Sequence, residues 1–248
     1  MVEQMIWRVE HLVEIDSTNA WLARRAREGA DEGLVVFADF QSAGRGRLER
    51  SWVAPARTSL LCSVLLRPSL ELDQVQLVVA AASLAARAAL VRLCGLRPGL
   101  KWPNDLVVDD AKLAGTLAEV VADPGFAVVV GLGINLSEHP PELVATDVLA
   151  ESSITMAARG LLDIVLEELE WRYALLESDE GRSRLRDEYR RALVTLGRRV
   201  VVERTNDLLE GEARDVDDSG RLIVDVDGVE VAVSTGDVVH VRPVGSAR

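Results

Sequence analysis

The chain has 248 residues, 48% of them hydrophobic, and a formal net charge of −12. That length supports a proper core, in one large domain or in a large and a small one. So acidic a chain has no overall field to draw in nucleic acid or an anionic membrane. Two cysteines, Cys62 and Cys94, fit no disulfide framework and read as buried thiols of a reducing compartment. His11, His139 and His240 lie too far apart for a zinc pattern. The first residues carry acids and no apolar centre, which is not a secretory signal. The longest apolar stretch, residues 77–86, falls far short of the roughly 20 that span a bilayer. A soluble, cytoplasmic protein is expected.

In chain order, residues 5–15 read as a first strand, and Asp16-Ser17-Thr18-Asn19 offers caps for the helix that follows. Residues 34–40 and 59–66 read as strands on either side of an arginine-rich loop. Residues 73–93 form a long alanine-rich helix, apolar around much of its circumference and so buried against a sheet. Residues 100–130 read as short strands joined by turns at 103–105 and 109–110, the mark of an antiparallel meander. They run into Gly131-Leu132-Gly133-Ile134-Asn135. Residues 137–153 read as loop, 156–176 as an amphipathic helix and 179–193 as a charged, solvated one. From Gly197 five short β-branched runs with turn residues between them indicate a small barrel of SH3 type. Its self-contained turns suggest a separate unit with few contacts across the boundary.

The loop at 41–52 reads QSAGRGRLERSW. Gly44 and Gly46 can take φ > 0 and let backbone N–H groups approach an anion. Arg45, Arg47 and Arg50 supply planar donors suited to carboxylate and phosphate oxygens. Trp52 can stack on a flat ring or anchor the loop in the core. Taken alone, the segment also fits a solvated basic turn or a tracker of nucleic-acid phosphates, but the acidity of the rest points to a small anionic ligand. Little in its composition holds it closed, so a mobile lid is expected. Other signals are weaker alone. Ser17 and Thr18 read as caps, Lys112 as a snorkelling surface lysine, and Gly131 with Gly133 lacks the third glycine and helix of a dinucleotide site.

Together, Ser17-Thr18-Asn19, the 41–52 loop, K-W-P-N-D at 101–105 with K-L-A-G at 112–115, and G-L-G-I-N at 131–135 resemble the biotin–protein ligases over about residues 10–245. The resemblance implies an α+β fold: a mixed, largely antiparallel central sheet backed by helices, related to class II aminoacyl-tRNA synthetases. It also implies a small C-terminal SH3-like barrel, with domains at 1–196 and 197–248. It implies attack of the biotin carboxylate on the α-phosphate of ATP, then transfer of biotin to a lysine of a biotin carboxyl carrier protein domain of acetyl-CoA or related carboxylases. By similarity Lys112 and Arg47 are catalytic. Ser17, Thr18, Asn19, Gln41, Arg45, Gly46, Arg47, Lys112, Gly115, Gly131 and Gly133 bind biotin. Arg45, Arg47, Arg50, Trp52, Asn104, Asp105 and Asn135 bind ATP, and Asp105 faces Mg²⁺. Biotin and ATP are substrates, and no tightly bound prosthetic group is implied. The short stretch before Ser17 resembles the monofunctional kind, without a DNA-binding domain, and a monomer or weak homodimer is expected.

Two departures stand out. The family loop G-R-G-R-x-G-R-x-W here has Leu48-Glu49 in its middle, placing a glutamate where glycine is usual. Ala145-Thr146-Asp147 only half matches the family's A-T-S or A-T-T. Two other readings stay open: a lipoate or octanoate ligase or transferase of related fold, and a non-catalytic biotin-binding regulatory module.

Overall fold

The computed structural model describes residues 5–48, 50–122, 125–139, 144–203, 207–234 and 236–240. Seven strands form the central sheet: β1 Arg8–Ile15, β2 Leu34–Gln41, β3 Ser59–Leu66, β4 Gly99–Lys101, β5 Asp105–Val108, β6 Ala111–Val121 and β7 Ala127–Asn135. Their spatial order is β1-β2-β3-β7-β6-β5-β4. β1 pairs with β2 in parallel, and every other pair in this sheet is antiparallel. The parallel pair follows from the intervening helix α1, Thr18–Arg27, which carries the chain back across the sheet.

Alternation along the strands divides the sheet into two faces. On one, Leu60, Cys62 and Val64 of β3 with Val130, Leu132 and Ile134 of β7 pack against α2, Val75–Cys94. Alanine at so many α2 positions lets that helix lie close, and it ends at Gly95 with φ 73°. Helices α4, Ala158–Ala174, and α5, Asp179–Ala192, complete this layer. The buried Arg172 of α4 reaches both Glu168 at 2.8 Å and Glu188 of α5 at 2.6 Å. α5 is charged outwardly as expected, but it buries Leu185 and Tyr189 in the core. On the other face, Leu22, Ala23 and Ala26 of α1 pack on Leu65 and Val129.

Several details differ from expectation. Residues 137–153 are not all loop: α3, Val148–Ser152, starts where the Asp147 carboxylate accepts from Ala150 N–H at 2.8 Å. Leu72–Cys94 is long and apolar enough to cross a membrane by length and composition, because its charges are few, but α2 is largely buried inside the protein. Cys62 is buried, which pushes its thiol up to about 12, whereas Cys94 is only half-buried. Pro140 and Pro141 lie outside the described residues.

The second sheet comprises β8 Arg199–Glu203, β9 Leu208–Val216, β10 Leu222–Val226, β11 Val229–Val233 and β12 Asp237–His240, in the order β11-β10-β9-β8-β12. Asp227-Gly228, both at positive φ, make the tight turn between β10 and β11. The expectation of few contacts across the boundary is not what the structure shows. Val200, Val202, Leu222 and Val224 belong to the same buried cluster as α2 and the central sheet. Trp102, 1% exposed, receives this sheet directly: its indole N–H donates to Gly220 O at 3.1 Å. Its main-chain N–H donates to Thr195 Oγ1 at 3.0 Å. Arg190 of α5 also reaches Asp215 of β9 at 2.6 Å.

Candidate active site

The site lies on the α1 face of the central sheet, beyond the N-terminus of that helix. Strand register sets one row of side chains across it: Leu12, Ala38, Leu61, Gly133, Gly115, Asp105 and Lys101. Paired residues share a face, so the row has an apolar end, a glycine centre and a charged end. The next row places Ser63 beside Gly131 and Leu117. A cavity of about 390 Å³ opens over these rows. Every residue to which the family resemblance assigned a role lines it.

The polar end is built by α1 and β2. Ser17 caps α1, accepting from Ala20 N–H at 3.4 Å. Gln41 Oε1 accepts from both the N–H and the hydroxyl of Thr18, at 2.8 and 2.9 Å. Asn19 is inserted so closely that a Cβ at Gly131 would meet its Oδ1 at 2.2 Å. The glycine at 131 thus makes room for this chain's own asparagine.

The cationic end is built by the 41–52 loop and β6. The loop is a small hairpin with an Arg45–Ser51 bridge. Its glycines do not take φ > 0; among the described loop residues the left-handed position is Leu48, at 52°. Gly44 is needed instead because a Cβ there would meet Trp52 O at 2.4 Å. The Gly46 N–H donates to Arg50 O at 2.6 Å, so in this arrangement it serves the loop. The expectation that little holds the loop is corrected as well. Arg45 pairs with Glu119 at 3.4 Å, and Arg47 Nη1 donates to Gly236 O, just before β12, at 3.1 Å and to Asn104 Oδ1 at 3.5 Å. Trp52 lies on the glycine floor, where a Cβ at Gly133 would meet its ring at 2.5 Å. Glu49 lies outside the described residues.

Lys112 Nζ lies 2.7 Å from Asp105 Oδ1 and 5.5 Å from the Trp52 ring centroid. That ion pair is the contact that Asp105 Oδ1 makes in this arrangement. Asp105 is brought there by the turn after Trp102, whose Pro103 carbonyl accepts from Gln76 at 2.6 Å and from Tyr189 at 3.2 Å. Asn104 Nδ2 donates to Thr116 O at 2.7 Å. Asn135, expected at the nucleotide, donates to Thr146 O at 3.0 Å and so holds residues 144–146 beside Lys112. Asp147, the residue that half matches the family motif, serves as the α3 cap.

The sequence reading passed over Ser63 and Glu119, both of which contact Asn19. The signal for them is strand alternation: Gly115, Leu117 and Glu119 lie two apart on one strand, as do Leu61 and Ser63 on another. Gly133→Ala is expected to drive Trp52 off the floor, at a cost of about 1–3 kcal/mol. Limited proteolysis checks this, with faster cleavage within residues 41–52 than in wild type.

This fold and site define an α+β enzyme-like domain in which a row of cations meets a small-residue floor and a polar pocket. Residues 13–135 match the Biotin/lipoate A/B protein ligase family, and residues 195–241 match the Biotin protein ligase C terminal domain. The chain is 39% identical over 250 residues to a biotin–[acetyl-CoA-carboxylase] ligase of Mycobacterium tuberculosis (strain ATCC 25618 / H37Rv), covering 95% of this chain and 90% of that one. It is 33% identical over 227 residues to the protein of the same name from Paracoccus denitrificans, covering 86% and 92%. The biotin protein ligase from Aquifex aeolicus in complex with biotin and ATP has the same fold, with a TM-score of 0.82 at 24% identity over 96% of this chain and 100% of that one. The chain belongs to the biotin/lipoate A/B protein ligase family, with a biotin protein ligase C-terminal domain.

Proposed function

We propose that the protein activates biotin with ATP to biotinyl-5′-AMP and transfers biotin to a lysine of a carboxyl carrier protein domain of acetyl-CoA or a related acyl-CoA carboxylase. The observation that carries this is the convergence of Arg45, Arg47, Arg50 and Lys112 on a glycine floor next to the Ser17-Thr18-Asn19 pocket. In the first step a carboxylate oxygen bonds to the α-phosphorus, the bond to the β-phosphate oxygen breaks, and pyrophosphate leaves. Two anions must meet, and cations that offset their repulsion in the transition state lower the barrier. Lys112 leaves Asp105 and stands between carboxylate and α-phosphate, while Arg45, Arg47 and Arg50 take the remaining charge. In the second step the carrier's lysine amine bonds to the acyl carbon, the acyl–phosphate bond breaks, AMP leaves and the amine gives up a proton.

Once Lys112 turns from Asp105 to the substrates, the Asp105 carboxylate would offer an oxygen to Mg²⁺, a hard cation that takes one or two carboxylates together with substrate phosphates. The ion supplies further neutralisation of the triphosphate. Asn104 and Trp52 lie toward the nucleotide, Ser17, Thr18, Asn19 and Gln41 toward the biotin head. Residues 1–196 carry this chemistry and 197–248 complete the site through Gly236. The protein acts in the cytoplasm as a monomer or weak homodimer, without nucleic acid or membrane.

ATP–pyrophosphate exchange with biotin, lipoate and octanoate offered separately tests this reading, followed by mass analysis of a carrier domain. Biotin alone is expected to drive exchange and to add to the carrier. Exchange driven by lipoate or octanoate would point to the related ligases. Biotin binding without exchange would point to a regulatory module.

A further inference from the structure

The polar end of the cavity has more acceptors than protons. Ser63 Oγ lies 2.6 Å from Asn19 Oδ1 and 2.8 Å from Thr18 Oγ1, and Thr18 Oγ1 lies 2.9 Å from Gln41 Oε1. The orientation of both amides is set by their other partners. Gln41 presents oxygen, because the Thr18 main-chain N–H donates to it at 2.8 Å. Asn19 presents Nδ2 to two groups that only accept, Glu119 Oε2 at 2.8 Å and Leu117 O at 3.3 Å, so its oxygen faces Ser63. The three oxygen–oxygen contacts therefore share only the hydroxyl protons of Thr18 and Ser63. One contact is always without a proton. Thr18, Asn19 and Ser63 are all buried, so the missing proton has to come from the cavity side. Thr18, Asn19 and Gln41 line the cavity. A ligand that brings an N–H there removes the deficit; a ligand that brings only acceptors or hydrocarbon does not.

We propose that Glu119 is a positioning residue that locks the Asn19 amide and thereby makes the site select a ligand head group that donates N–H. This inference rests on the biotin reading, since the ureido head supplies such donors. Without the carboxylate, only the longer contact with Leu117 O, 3.3 Å, opposes a turn of Asn19. Its Nδ2 then donates to Ser63, Ser63 to Thr18 and Thr18 to Gln41, and every contact holds one proton. The pocket loses its demand for a donor. Glu119→Gln allows that turn, because the new amide can donate to Asn19 Oδ1, and it keeps the size of the side chain.

The test is the affinity of biotin and of a biotin derivative methylated at a ureido nitrogen, measured by calorimetry on the full chain for wild type, Glu119→Gln and Glu119→Leu. Sites built around a ligand donor reject analogues lacking it strongly, so wild type is expected to prefer biotin by about 100-fold or more. Glu119→Gln is expected to shrink that preference by about tenfold or more, mainly through weaker biotin binding, with thermal unfolding little changed. If Glu119→Gln does not fold, the same ratio in Glu119→Leu decides. A preference within about threefold of wild type in a folded variant overturns the role of Glu119. So does an equal loss of affinity for both ligands, which marks a merely structural residue. A wild type that neither binds biotin nor exchanges pyrophosphate with it overturns the biotin reading along with this one, a result distinct from the other two.

Discussion

Lys112→Ala is expected to slow adenylate formation by about 10²–10³-fold, the usual effect of removing one transition-state charge partner. The protein is expected to stay folded. The hydrogen bonds from Lys112 N–H to Val144 O, 3.0 Å, and from Thr146 N–H to Lys112 O, 2.9 Å, are main-chain bonds that the substitution retains. The side chain is partly solvated, 38% exposed, so little packing is lost. Asp105 then loses its cation, and the variant gathers negative charge where the triphosphate must sit. Pyrophosphate exchange measured against circular dichroism separates the two effects. A folded Lys112→Ala protein with near-normal exchange would remove Lys112 from the chemistry. Lys112→Arg keeps the charge but spreads it over a planar fork, and is expected to recover only part of the rate.

Trp102→Ala is expected to destabilise the protein by about 3–5 kcal/mol, the range for truncating a fully buried large aromatic. The loss has three parts: the cavity, the indole bond to Gly220 and the disturbance of the turn that presents Asn104 and Asp105. Because Trp102 stands where the two sheets meet, urea unfolding followed at probes in each part is expected to shift together, as one transition. Two separated transitions would show that the C-terminal sheet folds on its own terms. The same geometry speaks against a cut after residue 196 leaving an intact catalytic part. Such a cut uncovers the apolar surface now packed against Val200, Val202, Leu222 and Val224, and a soluble, cooperatively folding fragment would contradict that expectation.

Much of the site was legible in the chain because its parts are local. Gln41 through Trp52 hold three arginines within one turn-forming segment, Lys101 to Asp105 make a turn that leads within a few residues to Lys112 to Gly115, and Ser17 to Asn19 sit at a cap. Strand alternation already places Gly131, Gly133 and Asn135 on one face. The five short strands after Gly197 were equally readable, since each is bounded by its own turn residues. What a residue's neighbours two to four positions away decide, the sequence by itself determined: the elements, their faces and the chemical inventory of the cavity.

Tertiary structure decided which groups answer one another. Asn19 meets Glu119 100 residues away, and Arg47 meets Gly236 189 residues away. Contacts of that span depend on register across several strands, and a shift of one residue in any of them would turn the side chain to the opposite face. That is why the sequence could not show that Gly133 makes room for Trp52, and why the loop was read as loose when Glu119 and Gly236 hold it. It is also why the boundary at 197 read as sparse. Short strands with self-contained turns show how the second sheet closes, but not that its inner face completes the core begun by α2 and Trp102. Apolar burial has no direction and no sequence range, so only the assembled fold reveals which surfaces it joins.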